Sequence, residues 1–419
     1  MTALSSALST DLTSRTRLVQ GPERPLEREV GPEDPLGGFE PDGFAWVRHG
    51  AGLSTAGVAA RLRVSLDDAP EQVAAVLAGI RSDDPLGLPG TGPIVVGALP
   101  FAPGRTAELV VPAVVTGRTR DGQAWVTETG PAIRPPREVV AADGEPSRFS
   151  VEPTAGRAEW TAAVELALAR IAQGPLEKVV LAREVLVEGD RPFDVAAVVD
   201  RLRAVHRSSF TYAFGGFVGA SPELLVRRRG DRVISQPMAG TVARGQTVED
   251  DRRLASALAS SAKDMDEHRL VVDAIVAALG PVCRSVSAGE GPDVVRLATV
   301  SHLATTVTGR ILPGADRSAL DVARLLHPTP AVGGLPSREA LATIAELESF
   351  DRGLYAGPVG WQDSRGDGEW AVALRGATID GSCARLVAGA GIVAGSDPDA
   401  EWAETQAKFE PMLQALVRP

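Results

Sequence analysis

Two acidic pairs carry the first chemical signal. Asp264 with Glu267, and Glu401 with Glu404, are each spaced i, i+3 within helical patterns, which puts both carboxylates of a pair on one helical face. If the two helices met through these faces, four carboxylates would repel one another unless a cation lay between them. A donor set made only of oxygen, with no clustered Cys or His, suits Mg2+ better than zinc. Either pair alone is more often a solvated helix face. Lysine usage adds weight to the first reading. Lys and Arg together number 43, yet only Lys178, Lys263 and Lys408 are lysine. GC-rich codon bias would explain that scarcity too. Arginine does not release its proton in a protein, whereas a buried lysine can, so the surviving lysines are candidate bases or compact cations. Lys263 adjoins Asp264, and Lys408 follows Glu404 by one helical turn.

Other single residues have two readings each. In GEWAVALRGATI, alternation puts Trp370, Val372 and Leu374 on a packing face and Arg375 on a face of small residues, where an anion could meet the guanidinium; an arginine turned to solvent fits equally well. In RLVAGAGIVAG, Gly389 and Gly391 share a face whose bare backbone can approach a carboxylate. Lys178 opens a strand of Val, Leu and Ala, where burial would make it a usable base, although strand-end lysines commonly reach back to water. Glu223 follows Ser221-Pro222 after a glycine-rich strand, as an acid entering a cleft would, or as an exposed turn carboxylate. His302 and His327 are structural or polar contacts without metal-ligand spacing. GAGIVA fits a dinucleotide pattern, but too few residues follow it for a βαβ unit.

These residues need elements to position them. Strands are expected at 94–101 and as a hairpin over 107–130 turning near Asp121-Gly122. A helix over 158–172 precedes the strand that starts at Lys178. Then come a helix near 194–206, a strand at 210–219, a hairpin turning at 229–231, and one long helix from about 249 to 279 ending at Gly280-Pro281. Strands near 294–309, helices near 318–326 and 337–348, a meander and a helix after Asp397-Pro398 complete the chain. Residues 1–45 are rich in Pro, Gly and charge and read as a loosely ordered lead-in; 131–156 mark the main boundary, dividing an N-terminal region, 1–156, from a catalytic region, 157–419. Hairpins and meanders with flanking helices indicate an α+β fold with antiparallel sheets, not alternating βαβ.

Composition narrows the class. The 419 residues are 44% hydrophobic and 23% charged, ordinary for a globular enzyme, and the net charge of −11 argues against nucleic acid and anionic membranes as partners. No apolar run approaches a membrane span, and the opening residues lack a secretory pattern. Two cysteines support neither a disulfide framework nor a cysteine-rich zinc site. The expectation is a cytoplasmic, thiol-independent, monomeric protein.

LEKVVLARE, ASPELLV, QPMAGT, SAKDMDEHRLVVDAI, VSHLAT, LLHPTPAVGG, FDRGLYAGPVGW, GEWAVALR, RLVAGAGIVAGSDP and EWAETQAKF occur in the order found in chorismate-utilising enzymes, related to anthranilate synthase component I. The resemblance spans 157–419; before that only GALPF contributes. It implies two antiparallel sheets flanked by helices, and Mg2+-dependent chemistry on chorismate. Carried over by position, Lys178 matches the base that activates water for attack at ring carbon 2, and Glu223 the acid that protonates the departing carbon 4 hydroxyl. Glu267 and Glu404 match direct metal ligands, supported through water by Asp264 and Glu401. Arg375, Tyr355, the Gly389–Gly391 backbone and Lys408 match groups that grip the substrate carboxylates; Gly240, Thr241 and His302 line the ring. Ala239 stands where aminodeoxychorismate synthases carry a nucleophilic lysine, and ammonia users generally lack a lysine at the position of Lys178. The resemblance therefore implies water as nucleophile, no glutaminase partner, and the isochorismate-forming branch, which feeds menaquinone or siderophore synthesis. Salicylate synthases, which go on to eliminate pyruvate, share Lys178 and Ala239 and are the alternative. Met238 and Gly333 depart from the usual pattern.

Overall fold

The strand Lys178–Gly189 is mostly β-branched and apolar, and it is paired on both edges. Along one edge it runs antiparallel to Cys383–Val393, with Lys178 opposite Val393 and Val180 opposite Gly391. On the other edge its first residues meet Gly334–Leu335 and its last meet Phe149–Pro153. The short partner comes close only because residue 334 is glycine: φ is 142°, and a Cβ there would collide with the Lys178 carbonyl. Lysine is thus held at the head of a strand buried within a sheet.

The computed structural model describes residues 12–19, 39–40, 43–130 and 144–417. Among them, twenty strands form one hydrogen-bonded network and three form a second sheet. Every pairing is antiparallel except that of Thr13–Leu18 with Arg81–Asp83. The fold is α+β with antiparallel sheets and flanking helices, as the hairpin pattern implies. Strands from the first part of the chain extend the same network: Phe44–Arg48 pairs with Phe210–Phe214, and Ile94–Ala98 with Pro358–Asp363. The small sheet orders Met238–Ala243, Val300–Ala304 and Asp293–Arg296, with Val300–Ala304 in the middle. Helix Ala262–Leu279 packs on this sheet, and helix Pro398–Val417 packs on Cys383–Val393. Among the described residues no helix is long and apolar enough to cross a membrane.

Four expectations are revised. Within the stretch read as a lead-in, Thr13–Leu18 is a strand, paired with Ala124–Thr129; most of 1–45, like 131–143 of the boundary region, lies outside the described residues. The segment 210–219 is two strands, Phe210–Phe214 and Phe217–Ser221, because Gly215 and Gly216 both take positive φ and turn the chain into a hairpin. The long helix is two, Val248–Ser260 and Ala262–Leu279. Ser261 is extended between them and caps the second, its Oγ accepting from the Asp264 N–H. Finally, GEWAVALRGATI is not one strand: Gly368–Val372 and Gly376–Asp380 are separated by a break in which Arg375 has φ 53°.

Candidate active site

One cleft, enclosing about 840 Å3 with its open solvent included, gathers the chemistry. The small sheet contributes Gly240, Thr241 and His302 to its lining; helix Ala262–Leu279 contributes Asp264 and Glu267; helix Pro398–Val417 contributes Glu401, Glu404 and Lys408. Gly389 and Gly391 come from the long antiparallel strand, Arg375 from the break, Tyr355 from the loop after helix Ser337–Leu347, and Glu223 from the turn before Leu224–Arg229. Lys178 lies just behind this surface, 1% exposed, with Nζ 2.9 Å from Glu267 Oε1. All fourteen sequence-identified site residues therefore converge. His327 does not: its Nε2 meets the Phe101 carbonyl at 2.9 Å, away from the cleft.

The two acidic pairs face one another, each helix adding to the charge felt by the other. Burial pushes the Asp264 carboxyl up, and Glu267 and Glu404 push it further. Burial likewise raises Glu401, with Glu404 and Glu267 adding to it. Burial acts upward on Glu267 as well, but the adjacent Lys178 ammonium, aided by Lys408 and Lys263, outweighs it and holds that carboxyl below its ordinary value. All three lysines serve here. Lys178 meets Glu267, Lys408 Nζ is 2.5 Å from Glu404 Oε1 and 2.9 Å from the Gly389 carbonyl, and Lys263 Nζ is 3.5 Å from Glu401 Oε1. Lys263, missing from the residues carried over by resemblance, was legible in the scarcity of lysine.

With their lysines engaged, the carboxylates do not form a closed cage: among the described residues no three Asp, Glu, His or Cys side chains are already grouped to hold a metal. The chemistry of the donor set still fits a hard divalent cation. Four carboxylates from two helices share one cleft, and the backbone beside them is kept bare. A Cβ at Gly391 would lie 2.7 Å from Glu267 Oε1, and one at Gly240 would lie 3.1 Å from the Asp264 Cβ.

The other titratable groups lining the cleft are neutral or cationic. Burial pushes the Glu223 carboxyl up to about 8, although the Met238 N–H and the charges of Lys178, Lys408 and Arg375 pull the other way. It is therefore a protonated acid at neutral pH. The backbone on either side is pinned, with Glu223 O accepting from the Val372 N–H at 3.1 Å and Ser221 Oγ donating to Val372 O at 2.5 Å. Burial, then the Arg375 and Lys408 charges, hold His302 well below its usual value. Neutral His302 accepts from Arg375 Nη2 at Nε2, 3.0 Å away, which leaves Nδ1 to face Thr241 Oγ1 and the Gly240 carbonyl. Burial lowers Arg375 to about 10, still a cation at neutral pH, and raises Tyr355 to about 12, leaving a neutral phenol. A second buried pair supports the lysine strand: Glu348 Oε1 accepts from the Ala182 N–H at 2.8 Å, and Arg352 Nη2 donates to Val180 O at 2.7 Å. Sequence reasoning did not single out this pair, whose i, i+4 spacing resembles any surface helix pair.

Residues 132–417 match a family model described as chorismate binding enzyme. The chain belongs to the chorismate-binding enzymes. Within that family it is 44% identical to a candidate isochorismate synthase, MenF, of Mycobacterium tuberculosis, over 78% of this chain and 87% of the relative. It is 39% identical to isochorismate synthase DhbC of Bacillus subtilis, over 77% and 81%. Among solved structures, the menaquinone-specific isochorismate synthase MenF of Escherichia coli superposes with a TM-score of 0.79 at 27% identity, covering 97% of this chain and 95% of that one. The fold of this chorismate-binding enzyme, a large antiparallel network with flanking helices, is thus that of its family.

Proposed function

We propose that this chorismate-binding enzyme is an isochorismate synthase acting with Mg2+. The observation that carries the reading is a lysine and a protonated glutamic acid at one cleft. Lys178 is close enough for its charge to act on Glu223, whose carboxyl holds its proton to about pH 8. A base and an acid so placed suit exchange of one hydroxyl for another across a ring. Once its ammonium has released a proton to solvent, the Lys178 amine accepts a proton from water as the water oxygen bonds to ring carbon 2; the double bonds shift, and the carbon 4 hydroxyl leaves with the Glu223 proton as water. Each group ends in the state the reverse reaction requires. Arg375, Tyr355, Lys408 and the backbone at Gly389–Gly391 grip the carboxylates of the dianion, with Gly240, Thr241 and His302 along the ring. Asp264, Glu267, Glu401 and Glu404 would hold Mg2+, which when bound supplies positive charge for a substrate carboxylate and offsets the four acids. Water as nucleophile needs no ammonia-supplying partner. The relatives named for isochorismate synthesis support this product over salicylate.

Product identification tests the reading. Chorismate incubated with the protein and Mg2+ is expected to yield isochorismate by chromatography, and EDTA to abolish it. Pyruvate and salicylate appearing in step with chorismate loss would assign the lyase activity instead.

A further inference from the structure

The break that carries Arg375 takes backbone groups out of the strand ladder, and four of them are met individually. The Ala373 N–H donates to Gly357 O and Ala373 O accepts from the Ala356 N–H, both at 2.8 Å. Arg375 O accepts from the Ala220 N–H at 3.1 Å. The carbonyl between them, Leu374 O, accepts from a side chain: Tyr212 Oη donates to it at 3.2 Å.

Tyr212 stands on strand Phe210–Phe214, has no accessible surface, and packs its ring against Phe217 with centroids 5.3 Å apart. Its hydroxyl sits in a slot kept open by two glycines. A Cβ at Gly219, or one at Gly376, would collide with that oxygen. Leu374 O and the Arg375 nitrogen belong to one peptide plane, so holding the carbonyl sets the plane from which Arg375 takes φ 53°. The next plane is held through Arg375 O. Left-handed φ is unfavourable for arginine and persists only where its surroundings enforce it. Both planes flanking the Arg375 Cα are so enforced, and the guanidinium emerges in the cleft against His302.

We propose that Tyr212 is a positioning residue for substrate binding: its hydroxyl, seated between Gly219 and Gly376, holds the strand break that aims Arg375 at a carboxylate of the substrate. The inference rests on the isochorismate synthase reading for the identity of that substrate.

Tyr212→Phe keeps the ring and deletes only the hydroxyl. It is expected to raise KM for chorismate about tenfold while kcat stays within about threefold. Added to Arg375→Ala, it is expected to change KM less than about twofold, because the group it aims is gone. Calorimetric titration of chorismate into Glu223→Gln protein, with and without Tyr212→Phe, measures the same loss without turnover. An unchanged KM with a lowered melting temperature would overturn the proposal, leaving Tyr212 a packing residue; so would an equal rise in KM in both Arg375 backgrounds. Failure of wild-type protein to form isochorismate strikes the functional reading separately, before any variant is compared.

Discussion

Glu223 and Glu267 are the same residue type lining one cleft, both withdrawn from solvent, and their carboxyls move in opposite directions. For each, burial is the largest influence and acts upward. At Glu223 it prevails, since the lysines act on it without touching it; at Glu267 an ammonium at 2.9 Å reverses the outcome. The comparison teaches that burial alone does not tell which acid keeps its proton. Contact with a charge decides it, and the cleft uses that difference to keep a proton donor and a charged carboxylate on one surface.

Removing the lysine should break the contrast most completely. Lys178→Ala is expected to lower isochorismate formation on the order of 10²–10⁴-fold, measured on protein whose melting curve shows it folded. Lys178→Arg, which can keep the contact with Glu267 but supplies no usable base, should remain within about tenfold of that inactive level.

The acid side is sharpened by pH. With Glu223 at about 8, kcat/KM should fall as pH rises through about 8, and Glu223→Gln should lose both that alkaline limb and on the order of 10²–10⁴-fold in rate. The same shift couples to stability. The folded carboxyl titrates above its ordinary 4.5, so folding takes up a proton between about pH 4.5 and 8. The stability this contributes is complete below that window and lost as pH rises through it; Glu223→Gln should flatten the slope in denaturant titrations at stepped pH.

A smaller effect probes the acidic side. Mg2+ should raise the melting temperature of the wild type, by about 2.7 kcal/mol in stability at one hundred times its Kd, and should not do so for the Glu267→Gln/Glu404→Gln double variant. The least expected change is at the rim. Lys263 is half-exposed, and Lys263→Ala should alter unfolding free energy by less than about 1 kcal/mol in urea titration.

Much of the architecture was legible because local rules produce it. The hairpin turning near Asp121-Gly122, the helix over Arg157–Gln173 and the strand at Lys178 follow from turn residues and hydrophobic period. The errors fall where a local pattern holds and the backbone breaks it. Helical periodicity runs through Ser261, yet that serine caps a new helix. Alternation puts Arg375 on the face opposite Leu374, yet both line the cleft, because the strand ends at Val372; the aim of Arg375 comes from a left-handed turn held by Tyr212 and Ala220.

By itself the sequence determined which groups exist and how they are spaced on their own elements: acids one turn apart, three lysines in a chain of arginines, two glycines on one strand face. These are short-range facts, set by the period of a helix or strand. Only the tertiary structure decided their states and partners. Lys178 and Glu267 meet across 89 positions of chain, and Glu223 keeps its proton because residues remote in sequence exclude water from it. Protonation answers to distance through space and to desolvation, and neither is written in neighbouring letters.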